Sequence, residues 1–517
     1  MFVRRKPNKT GTTSIHVVSK QCGKYKFIRS FGTGRTELEL QFLENKARQF
    51  IQEQKGQTIS LFESAEDVFL EDFISTLSNS QLQVIGPELI FGRLYDKIGF
   101  NAIEEDLFRH LVISRLFNPG SKLKTIDYLH RYQGICYSSD TLYRFLDTLC
   151  FKQGSKKSKD IKSEVEKISF EHSKAVLKNK LGVVFYDMTT LYFEASDEDD
   201  LRKTGFSKDG KHHCPQIYLG LLVAAEGNPI GYEIFEGNIF EGNTFIPALE
   251  KIESKYSLGK PIIVADSGLL SNKNIQLMQE KGYKYILGAR IKSESQDIKQ
   301  QILSLELKNG ETAIIKKDKN TRIIISMSDN RAVKDAHNRE RGLIRLQKQL
   351  GRGKLTKANI NNRGYNKYLR LEGDVNITID MQKYQADSKW DGLKGYQTNT
   401  KLSAKNIIIN YSNLWYIERA FRMNKTDLRI RPIYHRLRNR IEGHICICFT
   451  AYTIMLEMER MLKKAKSKIT ITRAQELTRN MYQLTYQLPN SKKTIQKILN
   501  MDNEQKELFK IVQNIKK

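Results

Sequence analysis

The sequence predicts an α/β core split by a strand-rich insertion and preceded by a largely helical N-terminal region. Three observations carry this expectation. Between about 180 and 290, apolar β-type runs and helical patterns follow one another in the order βββαβαβ. From about 295 to 405 a charged stretch with its own strand-like runs interrupts that order. Helical periodicity then returns near Ser412.

Residues 1–60 read as a small α+β cap: SIHVV and KYKFIRSF are strand-like and separated by Gly-containing turns, and ELELQFLENKARQFIQ is helical. Residues 61–175 are helical throughout, with a break at Asn118-Pro119-Gly120 and a Lys/Ser-rich stretch, KQGSKKSKDIKSE, that suits a linker.

Residues 176–294 form the first part of the core. VVFYD, QIYLGLLVAA and PIGYEIFEG read as three strands, with Gly227-Asn228 at a turn between the last two. The helix TFIPALEKIESKY, the strand PIIVAD, the helix SNKNIQLMQEKG and the strand YKYILGAR follow. In residues 295–405 the runs ETAIIKK, TRIIISM and VNITIDM surround the basic helical stretch RAVKDAHNRERGLIRLQKQL, and a separate strand-rich subdomain is expected. Residues 406–460 complete the core. The tail 461–517, with 13 basic and 4 acidic residues, is expected to be helical. No repeat of fixed period is present.

The 517 residues carry 86 Lys and Arg against 58 Asp and Glu, a net charge of +28. Such an excess repels itself unless a polyanion neutralises it, and nucleic acid is the polyanion that best fits. Ribosomal and membrane-surface proteins share the charge, so charge alone does not choose among them. The six cysteines show no disulfide framework. The longest apolar stretch, around Ile445 to Leu456, is short of the ~20 residues that span a bilayer, and MFVRRKPNK lacks an apolar signal core. A cytoplasmic protein with no membrane partner is expected.

Asp187 ends VVFYD and Asp266 ends PIIVAD. If those strands are parallel neighbours, both side chains emerge at the carboxyl rim where open α/β sheets place their sites. Two carboxylates so close repel unless a cation lies between them, and Mg²⁺, which takes oxygen ligands and retains waters, suits that position. A single helix is expected from Tyr411 to Leu428. Tyr411, Glu418 and Lys425 recur every seven residues as one polar stripe, beside an apolar stripe of Leu414, Ile417, Phe421 and Leu428. Turn residues at strand ends and a solvated helix with internal ion pairs are the plainer accounts of each piece.

Between Arg419 and Arg440 lie eight Lys/Arg and one acid, a density suited to phosphate. Arg422 and Lys425 are the leading DNA contacts, with Arg429 and Arg431 in the same run. Tyr411 could meet a base or a phosphate, or simply pack. His212, His213 and Cys214 are adjacent but lack the spacing of a zinc site. Cys446 and Cys448 read as core residues, the acidic run Glu194 to Asp200 as a solvated loop, and Ser138-Ser139-Asp140-Thr141 as a helix cap or the start of a recognition helix.

These residues together resemble bacterial insertion-sequence transposases with a D-D-E triad, in the group whose third-carboxylate helix carries Tyr-x2-Arg-x3-Glu-x6-Lys. In YSNLWYIERAFRMNK, Tyr411, Glu418 and Lys425 match, while Leu414 stands at the Arg position. VVFYDMTTLYFE, GFSKDG, PIIVADSGL, WDG, IERAFRMNKTDLRIRPIYH and RIEGH are similar in the same order, over about residues 1–460.

The resemblance implies an RNase H-like core with a β-rich insertion. It implies Asp187, Asp266 and Glu418 as catalytic metal ligands for two Mg²⁺ ions, with Mn²⁺ able to substitute. It also implies a helical DNA-binding region at 61–175 and cut-and-paste transposition on double-stranded DNA, both terminal inverted repeats and target, by a homodimer assembled on DNA in the bacterial cytoplasm at the nucleoid. The competing readings are a nuclease on the same core that never transfers strands, a domesticated or decayed copy that only binds DNA, and a basic RNA-binding scaffold. The last accounts for the charge but not for the placed carboxylates.

Overall fold

The computed structural model describes the chain except residues 10, 22–23, 55–64, 151–159, 208–209, 240–243, 257–258, 270, 362–363, 373–375, 489–492 and 514–517. It forms two compact units, Met1–Gln81 with Tyr486–Ile495, and Leu82–Thr485 with Gln496–Lys517.

In the first unit, strands β1 (Phe2–Pro7), β2 (Thr13–Gln21) and β3 (Lys24–Gly34) form an antiparallel meander. Helix Glu37–Glu53 covers one face, where Ile15 and Val17 pack with Leu40, Ala47 and Ile51. Arg5 pairs with Glu37 and Glu44 of that helix. This unit runs past the expected boundary at residue 60 and includes helix Ala65–Ser75.

The second unit opens with β4 (Leu82–Val84) and then the expected helices, among them Asp106–Phe117, Ser139–Thr148 and Ile161–Val176. The core follows as β5 (Val183–Tyr192), β6 (Gln216–Val223), β7 (Pro229–Glu236), helix Phe245–Tyr256, β8 (Ile262–Ala265), helix Asn272–Glu280 and β9 (Lys284–Ala289). The order is βββαβαβ. Next come β10 (Thr312–Lys316), β11 (Arg322–Met327), helix Asp329–Gly351, β12 (Leu369–Glu372), β13 (Asn376–Ile379) and β14 (Leu393–Thr398).

The interrupting segment is not a separate subdomain. β10, β11 and β14 extend the central sheet to eight strands, in the order β10-β11-β14-β9-β8-β5-β6-β7. β14 closes on β9 in antiparallel register, Tyr396 opposite Gly288. The exposed edge of β9 offers unpaired amides and carbonyls, and the inserted strands satisfy them. Of the expected strand runs, VNITIDM alone stands apart, in the β12–β13 hairpin.

Side-chain alternation gives the sheet two buried faces. Val184, Tyr186 and Met188 of β5 pack with Phe245, Leu249, Ile263 and Met278 on one side. Phe185 and Leu191 pack on the other with Ile417, Ala420 and Phe421, and with the helix Arg438–Lys464, whose Cys446 and Cys448 are fully buried. Among the described residues no helix is long and apolar enough to cross a membrane. The tail is only partly helical: β15 (Tyr482–Gln487) and β16 (Thr494–Ile498) interrupt it, and β15 pairs with β4.

Candidate active site

β5 and β8 are parallel neighbours with Tyr186 opposite Ala265, so Asp187 and Asp266 occupy the next position on each strand. Phe185 and Val264, two residues earlier, face the helices after β14, and alternation directs both carboxylates to that side. Asp187 does not end its strand, however. β5 runs on to Tyr192 because β6 continues to pair with it. It is β8 that stops, leaving Asp187 half-buried in mid-strand and Asp266 exposed at the rim.

The expected single helix from Tyr411 to Leu428 is three pieces: helix Ala404–Ser412, helix Trp415–Arg422 and a wide π turn over Met423–Asp427. Ser403 starts the first by accepting from the Asn406 amide. At the break, the amides of Leu414, Tyr416 and Ile417 each donate three residues back rather than four. Asn424 donates its side-chain amide to the Ala420 carbonyl inside the widened turn.

A cavity of about 460 Å³ is lined by Asp187, Asp266 and Glu418 together with Tyr411, Arg331 and Lys394. Asp266 Oδ1 accepts from the Ser267 amide at 2.6 Å and from the Tyr411 hydroxyl at 3.1 Å. Asp187 Oδ1 accepts from the Met188 amide at 2.7 Å. Burial, then the Asp266 charge, push the Tyr411 phenol up. Tyr411 is only 8% exposed, and inside the cavity its hydroxyl is turned to the Asp266 carboxylate.

Lys394 enters from β14, its ammonium 4.6 Å from the Tyr411 ring centre and 5.3 Å from that of Tyr396. Burial and neighbouring Arg331 lower its pKa, while Asp266 and Glu418 act to raise it. Gly288 is the other residue the sequence pattern did not mark. A Cβ there would collide with the Tyr411 hydroxyl and lie 3.2 Å from its Cζ. Both residues lie on strands paired across the insertion, a relationship no local pattern records.

Arg422, Lys425, Arg429 and Arg431 are not among the residues lining this cavity. Arg422 and Arg429 are exposed, and Arg431 places its guanidinium 5.6 Å from the Tyr192 ring. Part of the basic run meets the acidic loop, with Arg436 3.4 Å from Asp197 and Arg438 3.3 Å from Asp200. Ser138 caps helix Ser139–Thr148 by accepting from the Thr141 amide. In WDG, Asp391 pairs with Arg339, and the Gly392 amide donates to Asp335, which fastens helix Asp329–Gly351 to β14.

Among the described residues no group of three or more His, Cys, Asp or Glu side chains is gathered as a metal-binding set, the His212, His213, Cys214 run included. The three carboxylates share a cavity without closing on one point. Their donors are hard oxygens in an open pocket, the set that suits a divalent cation retaining its waters.

The sequence profile of the transposase DDE domain matches residues 178–454, more than half of the chain and a span that contains all three carboxylates. The chain belongs to the transposase DDE domain family. Among solved structures, the transposase is similar to a piggyBac transposase synaptic complex with hairpin DNA, at 9% identity over 76% of this chain and 78% of that one, with a TM-score of 0.39. It is also similar to a Mos1 mariner paired end complex with Mn, at 10% identity over 48% of this chain and 74% of that one, with a TM-score of 0.15. A comparison with curated protein sequences returns no match. Family membership rests on the sequence match.

Proposed function

We propose that this transposase binds the terminal inverted repeats of its own insertion sequence and, as a homodimer on DNA, cuts them and joins them to target DNA on an RNase H-like core. The observation that carries the reading is the common cavity of Asp187, Asp266 and Glu418, assembled from two adjacent parallel strands and a helix 231 positions (418 − 187) from the first.

Asp187, Asp266 and Glu418 would hold the metal, with Mg²⁺ the proposed ion and Mn²⁺ a substitute. When bound, a pair of such ions polarises the scissile phosphate and steadies the attacking and leaving oxygens of an in-line displacement. The protein's own part is positional. Tyr411 and the Ser267 amide both donate to Asp266 Oδ1 and hold that carboxylate in the cavity lining. Lys394 and Arg331 present positive charge at the same cavity and balance the phosphate as the strand enters. Arg422, Lys425, Arg429 and Arg431 would track the flanking backbone outside it.

The test is a joining assay on a pre-cut end bearing a 3′-hydroxyl, beside nicking of the intact end. Wild-type protein with Mg²⁺ should do both. Glu418→Gln should bind the end and do neither, because an amide replaces a charged ligand at constant shape. Nicking without joining would identify a nuclease, and near-normal cutting by the Glu418 variant would remove the triad.

A further inference from the structure

The N-terminal sheet has two faces of opposite character. One is covered by helix Glu37–Glu53 and holds Arg5 in its ion pairs. The other carries Phe2, Tyr25 and Phe27, which are 42%, 55% and 57% exposed over buried Val18. Strand pairing puts Arg4, Lys6, His16 and Lys20 on that same face. The Arg4 guanidinium lies 4.9 Å and the Lys20 ammonium 5.6 Å from the Tyr25 ring centre, and His16 meets Phe27 edge-on at 5.2 Å. Residues 1–34 contain eight Lys and Arg and no acid, the first acid of the chain being Glu37 on the covering helix. An apolar patch ringed only by cations is soluble as it stands, yet among the described residues its charge meets no carboxylate on its own face.

We infer that this outer face is a DNA-docking surface of the transposase, with duplex DNA as its occupant. The inference rests on the proposed action on DNA ends and adds a surface outside the expected helical reader at 61–175. The charge complement is one-sided: cations with no intervening carboxylate match a phosphate backbone, whereas an acidic protein would also need polar partners for its amides. The rings decide between double and single strands. Single-strand binding needs free aromatic faces on which bases stack, and the cations over Tyr25 occupy the position a base would take. A sheet whose rings contact sugar and thymine methyls while Arg and Lys reach phosphates instead fits a groove of the duplex.

The test uses the full chain in EDTA, so that cleavage plays no part, with a labelled mixed-sequence duplex about three helical turns long. Affinity is followed against salt by fluorescence anisotropy. The Arg4→Gln, Lys6→Gln, Lys20→Gln triple variant should bind at least tenfold more weakly, with a salt slope shallower by up to about 0.9 for each phosphate that is no longer neutralised. The charge-keeping Arg4→Lys, Lys6→Arg, Lys20→Arg triple should keep the wild-type slope, and Phe27→Ser should weaken binding at an unchanged slope. Lys46→Gln with Arg48→Gln, on the covering helix, should change neither. A glutamine triple that melts like wild type and keeps its affinity and slope overturns the docking surface, as does a single strand of the same sequence that outcompetes the duplex. Failure of the wild-type chain to bind any duplex would overturn the proposed function as well, and the two failures are thereby distinguished.

Discussion

The Tyr411 hydroxyl donates to Asp266 Oδ1 at 3.1 Å, across 145 residues of chain and from a helix separate from the one that bears Glu418. The second carboxylate is thus tied to the segment that leads into the third. Tyr411→Phe keeps the ring under Lys394 and removes only the donor. A hydrogen bond to a charged group is worth roughly 1.5–3 kcal/mol, which at ~1.4 kcal/mol per decade predicts a nicking rate lower by about one to two orders of magnitude. End binding by mobility shift should be unchanged, and a parallel loss of binding would show that Tyr411 meets DNA after all.

Gly288→Ala places a methyl where the Tyr411 hydroxyl sits. Nicking should fall at least as far as in Tyr411→Phe. In the double variant the collision is relieved in part, so the two effects should combine to less than their sum. Full additivity in single-turnover rates would mean that Gly288 acts elsewhere.

Lys394 faces Asp266 and Glu418 and repels any cation they would hold. Lys394→Gln should therefore lower the Mn²⁺ concentration needed for half-maximal nicking while also lowering the rate at saturating metal, since the phosphate loses a counter-charge. Metal titrations of the two proteins on one duplex separate these effects.

Glu418→Gln and Lys425→Ala should fail differently. The first should bind the inverted-repeat duplex and cut it several orders of magnitude more slowly. The second should bind with a salt slope shallower by about one phosphate and recover its chemistry at high protein concentration. Normal binding by the Lys425 variant at every salt concentration would leave that side chain with no DNA contact.

Stability should fall on acidification through the His435–His444 cluster. Burial first, then Lys122, lowers both imidazoles, His435 to about 3. His444 accepts at Nδ1 from Arg115 and Lys122, each at 3.4 Å, and donates from Nε2 to the Ile430 carbonyl at 2.9 Å, an arrangement that requires the neutral ring. An unfolded histidine gains its proton near pH 6.5 and the folded His435 only near 3. Between those values the unfolded state binds more protons, so stability declines as pH drops from about 6.5 toward 3. Urea midpoints of wild type and His435→Gln should converge across that window, and parallel curves would show that His435 does not contribute.

The α/β order and the positions of Asp187 and Asp266 were legible because strands buried on both faces must be apolar throughout, and a carboxylate at the end of such a run stands out. The joining of β10, β11 and β14 to the sheet was not. TRIIISM has the same apolar content in a small subdomain as in the central sheet, and the choice is made by its partner β14, which pairs with the open edge of β9 at a separation of 106 positions (395 − 289). The break at Asn413–Leu414 was hidden because the seven-residue spacing of Tyr411, Glu418 and Lys425 persists across it. Lys394 was passed over because its significance lies in the Tyr411 ring and in two distant carboxylates, not in its neighbours.

The closure of β14 on β9 also sets when this protein can become native during synthesis. Until Leu393–Thr398 leaves the ribosome, β9 presents a bare strand edge beside β8, with Asp266 already in place and neither Tyr411 nor Glu418 yet outside the ribosome. Pairings of such sequence separation form slowly, and an uncovered edge in the interval is a template for another chain. Nascent chains arrested before residue 393 should therefore be aggregation-prone and catalytically silent, which confines metal-dependent cutting to molecules whose synthesis has passed the insertion.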